Sequence, residues 1–263
     1  MYKYSIGFRM NFDTVRPEDM RSFVTRYLEN FDRYEFKVTN QLLSSGKIVK
    51  LLCMSEKLAN GKYSLHLPKD SLFNVGSYNQ TCRMIEYLKF HIPRNKVFLV
   101  THIPYKNFSF YIEKLLNLLK ILPENYVLLL ENIQIFDGNF NYLEQINDLF
   151  SYLNKNNIKN VGFCIDFGHL LFGCSYEGIS QKQALLKLHS MQFLMPCIKE
   201  IHIHDYNKVD HLQLHTGLLN LKLLSTFIKK SNLCVPIILE VSIINPNDDG
   251  IKQISIIYNN FNA

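Results

Sequence analysis

Tyr126-Val127-Leu128-Leu129-Leu130-Glu131 is a short apolar run closed by a carboxylate, with Asn132 directly after it. A run this short and this continuously apolar reads as a parallel β-strand covered on both faces. The same construction recurs in both directions along the chain. Strand-like runs rich in Val, Ile, Leu, Phe and Tyr occupy 4–10, 33–38, 62–67, 96–102, 126–131, 160–166, 198–204 and 235–241. Helical spacing fills the intervals. One helix opens at Arg16-Pro17-Glu18-Asp19, with proline and acids where an N-terminus favours them, and runs through Phe23, Tyr27 and Leu28. Another, over 110–122, repeats apolar residues at i, i+3 and i+4 and stops at Pro123. Similar patterns lie near 40–58, 76–91, 140–155, 180–194, 221–231 and 248–260.

Consecutive β–α units of about 30 residues, filling 1–263 without a Ser/Gly-rich linker, predict an α/β fold: one domain, a single (β/α)8 TIM barrel. An open doubly wound sheet would carry a Gly-x-Gly-x-x-Gly turn after an early strand, and the sequence has none. With 263 residues and 47% apolar content, the chain can bury a substantial core, which excludes a disordered or collagen-like protein. The net charge of +6 comes from scattered residues, with no basic run longer than two. Six cysteines without a Cys-x-x-Cys pair read as reduced, mostly buried thiols of a cytoplasmic protein. No signal-peptide layout opens the chain, and no apolar run approaches the roughly 20 residues of a membrane span.

Barrel chemistry gathers at the C-terminal ends of strands. Those ends are His66-Leu67-Pro68-Lys69, Thr101-His102, Glu131-Asn132, Asp166-Phe167-Gly168-His169, His202-Ile203-His204-Asp205 and Leu239-Glu240. Carboxylates and imidazoles following dry strands are costly unless paired or bound to a metal. Two glutamates, an aspartate and a histidine from four strands form a mixed oxygen and nitrogen set suited to Mn²⁺, Zn²⁺, Co²⁺ or Mg²⁺. Alternation along the seventh strand turns His204 away from His202, toward a structural hydrogen bond, and leaves Asp205 to buttress His202. His91 and His189 fall in helical stretches, Glu35 is a modest candidate, and Cys164 and Cys234 read as packing thiols. Phe167, Phe172 and Tyr176 read either as a wall of a sugar pocket or as core beneath a loop.

The segments 127–132, 162–169, 201–205, Asp210-His211 and 236–240 together resemble the xylose isomerase-like TIM-barrel superfamily. That superfamily groups sugar and sugar-phosphate isomerases and epimerases with endonuclease IV-type apurinic/apyrimidinic endonucleases. The resemblance spans about 60–245. It implies a metal centre on Glu131, Asp166, His202 and Glu240, with Glu131 and Glu240 as the acid–base pair and His169 contacting substrate. His102, His169 and His211 match further zinc ligands of the endonucleases. Three departures separate the chain from them. Lys69 stands where they carry a histidine, Asp210 and His211 are adjacent with Val209 at the aspartate's position, and Leu214-His215-Thr216-Gly217 replaces a glycine-rich segment.

The resemblance therefore implies one divalent ion, or two, rather than a full cluster of three. It also implies an isomerase or epimerase of a sugar, sugar phosphate or related polyol or keto compound, working by proton transfer through an enediolate. His66 and Lys69 are read either as contacts to a phosphate or hydroxyl or as rim residues, and with His102, Asp210 and His211 they are the candidates for a further metal or substrate contact. Zinc-dependent hydrolysis of abasic nucleic acid is the alternative. A barrel of this family without isomerase activity is the third reading. The expected partner is a small sugar, with no membrane, and with a homodimer as the common form of such barrels.

Overall fold

The computed structural model describes residues 4–11, 33–44, 53, 56, 62–72, 74–90, 93, 95–104, 108–241 and 251–262. The helix expected from Arg16 to Leu28 and most of the one expected near 40–58 lie outside them. Eight parallel strands follow one another in a closed barrel, β1 to β8 in chain order. They are β1 (Ile6–Asn11), β2 (Arg33–Lys37), β3 (Tyr63–His66), β4 (Val97–His102), β5 (Tyr126–Glu131), β6 (Val161–Asp166), β7 (Ile198–Ile203) and β8 (Ile237–Leu239). The helices are α1 (Asn40–Ser44), α2 (Val75–Leu88), α3 (Phe108–Ile121), α4 (Asn139–Lys155), α5 (Phe167–Tyr176), α6 (Gln181–His189), α7 (Leu221–Lys230) and α8 (Ile251–Ile257). The chain forms two compact units, one of 7–131 with 160–162, the other of 1–6, 132–159 and 163–263.

In the first unit, β1 to β5 pair in order, and the β4–β5 ladder sets His102 opposite Glu131. Its strands bury both faces: β3 and β5 are buried at every position. Arg33 is the one arginine or lysine buried among its described strands. Its guanidinium donates to Ser64 Oγ and Tyr63 O and lies 4.4 Å from the centre of the Phe98 ring.

In the second unit, β6, β7 and β8 pair in order. The β6–β7 register slips by one residue: Phe163 faces Ile198, but Cys164 faces Glu200 and Asp166 faces His202. The extra residue is Lys199, the exposed member of an otherwise buried strand. Such a bulge re-aims the side chains beyond it. Helix α5 follows β6 without an intervening loop, and Asp166 itself caps it, accepting from His169 N at 2.8 Å. The sequence pattern places a loop here, so the helix is a correction. Eight of its ten residues are buried, which leaves no polar face to betray the helical period. Gly168 and Gly173 also mimic loop punctuation. Both are required by close approach: a Cβ on Gly168 would sit 2.3 Å from the His204 ring, and one on Gly173 2.2 Å from Ile135 O.

Candidate metal centre

Asp166 ends β6, His202 is the penultimate residue of β7, and Glu240 directly follows β8. All three are buried. One ligand atom from each lies within 4.8 Å of the others. His202 Nδ1 is 2.9 Å from Glu240 Oε1, and Glu240 N donates to Ile203 O, which holds the carboxylate at the end of the β7–β8 ladder. Asp166 is held from three sides. Asn132 accepts from its backbone N and donates to its carbonyl, while His204 Nε2 lies 3.2 Å from Oδ1 and His169 Nδ1 3.3 Å from Oδ2.

Around this trio stand three imidazoles. His169, His204 and His211 have ring centres 4.3–5.2 Å apart and can also present one ligand atom each to a common ion. Backbone N of His211, in the left-handed region at φ 52°, donates to His204 Nδ1, and His211 Nδ1 lies 3.1 Å from Glu240 O. Asp210 is half-exposed, 3.8 Å from both His169 Nε2 and His211 Nε2.

In the other unit, Glu131 closes β5 with His66 Nε2 at 2.9 Å and His102 Nε2 at 3.3 Å from the same oxygen, Oε2. These three form a further group able to hold an ion. His66 is therefore not a rim residue: only 3% of its surface is exposed. Lys69 is exposed in the turn after β3. The imidazole that this strand contributes comes three residues earlier than the resemblance suggested.

Electrostatics act within each group. Burial disfavours an ionised Asp166, yet His169 and His204 outweigh it and hold the carboxyl below its ordinary range. Burial likewise opposes protonation of His204, but Asp166 pushes its pKa up to about 9. For His66, burial is outweighed by Glu131 and Glu35, so its pKa is raised; for His211, burial prevails and lowers it. Buried carboxylates facing imidazolium protons are sites where a divalent cation can take the protons' place. Oxygen and imidazole nitrogen donors in this ratio fit Zn²⁺, Mn²⁺ or Co²⁺.

Over residues 94–256 the sequence matches the family described as xylose isomerase-like TIM barrel. The chain belongs to this family. Among solved structures it resembles the 3-keto-D-glucoside 4-epimerase YcjR from E. coli in its apo form, with a TM-score of 0.67 and 15% identity over 98% of this chain and 100% of that one. It also resembles a D-tagatose 3-epimerase-like protein, with a TM-score of 0.65 and 18% identity over 98% of this chain and 97% of that one. A D-psicose 3-epimerase crystallised in the presence of D-fructose follows, with a TM-score of 0.62 and 9% identity over 98% and 100%. At these identities the likeness is one of fold. No curated protein matches the chain.

Several residues of this xylose isomerase-like barrel depart from the sequence expectation. His204 takes part in a structural hydrogen bond, as expected, accepting from His211 N, but it does not turn away from the ligand groups. β7 ends at Ile203, so strand alternation no longer governs the next residue, and its ring comes back to Asp166. Asp205 does not buttress His202. Its carboxylate accepts from the backbone N of Tyr206, Gly217 and Leu219 at 2.8–2.9 Å and so shapes the loop after β7. Cys234 is exposed, not packed, as is Cys53; only Cys164 and Cys174 of the six cysteines are buried. His189, by contrast, is exposed at the end of α6 beside Ser231, as a residue of a helical stretch outside the site is expected to be. Phe167 and Phe172 are core, whereas Tyr176 and Phe136 expose half their surface with ring centres 4.7 Å apart. No helix among the described residues is long and apolar enough to cross a membrane.

Proposed function

We propose that the protein is a divalent-metal-dependent isomerase or epimerase of a sugar, a sugar phosphate or a related polyol or keto compound. The observation that carries this reading is the gathering of Asp166, His202 and Glu240, buried donors from three strand ends, within 4.8 Å of one another. The fold it shares with three sugar epimerase or epimerase-like structures supports the substrate class. Glu131, at the same end of β5, is the fourth ligand in this proposal.

Bound there, a divalent ion supplies Lewis-acid polarisation of a substrate carbonyl and acidifies the C–H bond beside it. The residues of the chain do the rest. One of Glu131 and Glu240 removes the proton and the other returns one to the same carbon from the opposite side. His169 has Nδ1 fixed by Asp166 Oδ2 and Asn132 O, so Nε2 is free to bond a substrate hydroxyl in competition with Asp210. Phe136 and Tyr176 offer exposed aromatic faces to the apolar side of a sugar ring.

The test is solvent exchange at the substrate's α carbon. With Mn²⁺ or Zn²⁺ and a panel of ketoses in deuterated water, wild-type protein incorporates deuterium. Glu131→Gln and Glu240→Gln each reduce incorporation by at least about 100-fold, the scale of a lost general base. Retained exchange in either variant removes that glutamate as the base.

One observation favours a second reading. His66, His102 and Glu131 make an imidazole-rich group where Lys69 alone would have left a gap, and His169, His204 and His211 make another. Sites for further ions suit zinc-dependent phosphodiester hydrolysis at abasic positions. Zinc-dependent nicking of a duplex carrying one abasic analogue, without α-proton exchange on any ketose, replaces the first reading with this one.

A further inference from the structure

We infer that Glu200 is a positioning residue for the ligand His202, an inference that rests on the proposed metal centre. Glu200 and His202 stand two apart on β7 and share one face of the strand. Both are fully buried. His202 presents Nδ1 to Glu240 at 2.9 Å, and its other nitrogen, Nε2, lies 3.5 Å from Glu200 Oε1. The ring is thus held between two carboxylates, one at each nitrogen.

A ligand imidazole must offer a lone pair on one nitrogen and keep its proton on the other. A carboxylate at the far nitrogen fixes that tautomer, locks the ring's rotation and raises its basicity. Glu200 occupies that far position: with a proton on Nε2 directed toward Glu200, Nδ1, 2.9 Å from Glu240, is the nitrogen that can exchange its proton for the metal ion. The bulge at Lys199 makes the arrangement possible. Without the extra residue, Asp166 would face Ile201 and Ile165 would face Glu200; with it, Asp166 faces His202 and Cys164 faces Glu200. Carboxylate and imidazole thereby enter the strand register of Asp166 together. A fully buried carboxylate costs stability that an apolar side chain of similar volume would not, so its place in the strand calls for a function.

The test compares wild type, Glu200→Met and Glu200→Gln, each stripped of metal by chelation and titrated calorimetrically with Mn²⁺ and Zn²⁺. Glu200→Met is expected to weaken binding by about 10–100-fold and Glu200→Gln by about tenfold, the range for a lost partner of a ligand histidine. The metal-free Met variant is expected to unfold at a temperature no lower than wild type. In protein labelled with ¹⁵N-histidine, the His202 resonances of zinc-loaded wild type report the proton on Nε2, and those of the variants a mixture of tautomers. Equal metal affinity in Glu200→Gln and wild type overturns the inference, as does a lowered unfolding temperature of Glu200→Met with unchanged affinity. Wild-type protein that takes up neither metal overturns the metal centre and this inference together.

Discussion

Asp205 belongs to none of the ligand groups, yet it bonds three backbone N–H groups of the loop that carries Asp210 and His211. Hydrogen bonds to a charged acceptor are each worth about 1.5–3 kcal/mol when buried, and their sum is not additive. Asparagine keeps the shape but replaces one acceptor oxygen with a donor that faces another donor. Asp205→Asn is therefore expected to cost about 3 kcal/mol, read as a lower midpoint in urea. The strand-end places of Glu131, Asp166, His202 and Glu240 could be read at this scale because each follows an apolar run and each is chemically conspicuous. His204 could not: its role depends on β7 ending one residue early, and strand ends are decided by pairing, which a local pattern does not record. Glu200 was within reach, since a period of two places it on the face of His202.

At the scale of elements, the amphipathic helices were legible and the buried one was not. The 76–91, 110–122 and 140–155 patterns correspond to α2, α3 and α4 within a few residues, because each sets a polar face against an apolar one. The predicted 180–194 helix is shorter, ending at His189, and the chain then turns through a 3₁₀ segment at Met195–Cys197 before β7. α6 owes its start to a reciprocal pair: Ser180 Oγ accepts from Gln183 N, and the Gln183 side chain accepts from Ser180 N. Ser180→Ala is expected to cost about 1 kcal/mol in equilibrium unfolding. Because α6 contributes no ligand, metal binding should be unchanged. The Lys199 bulge has no mark in composition, and it decides which residue of β7 meets Asp166.

For the whole molecule, the repeat of apolar run and helical interval was enough to specify a closed barrel, since strands buried on both faces admit few other architectures. The same burial governs its response to alkali. Desolvation pushes the phenols of Tyr63, Tyr126 and Tyr206 well above the ordinary tyrosine range. An acid whose folded pKa is raised contributes stability below its unfolded value, about 10 for tyrosine, and that contribution is lost as pH rises above it. Tyrosinate absorbance at about pH 11 should therefore account for at least three fewer than the 15 tyrosines until denaturant is added. Immediate ionisation of all of them in folded protein would contradict the burial described.

Asn132 leaves one further consequence. Its side-chain amide meets Asp166 with the donor and acceptor that a peptide group would have offered, so a rung of the ladder persists after the main chain has turned away from β5. The carboxylate's backbone is thereby anchored by a single residue, and the path from Ile133 to Asp137 is released from that duty. Replacing Asn132 by a side chain without an amide would remove both bonds at once, and the main chain of Asp166 would lose its partner on the β5 side while keeping its pairing with His202.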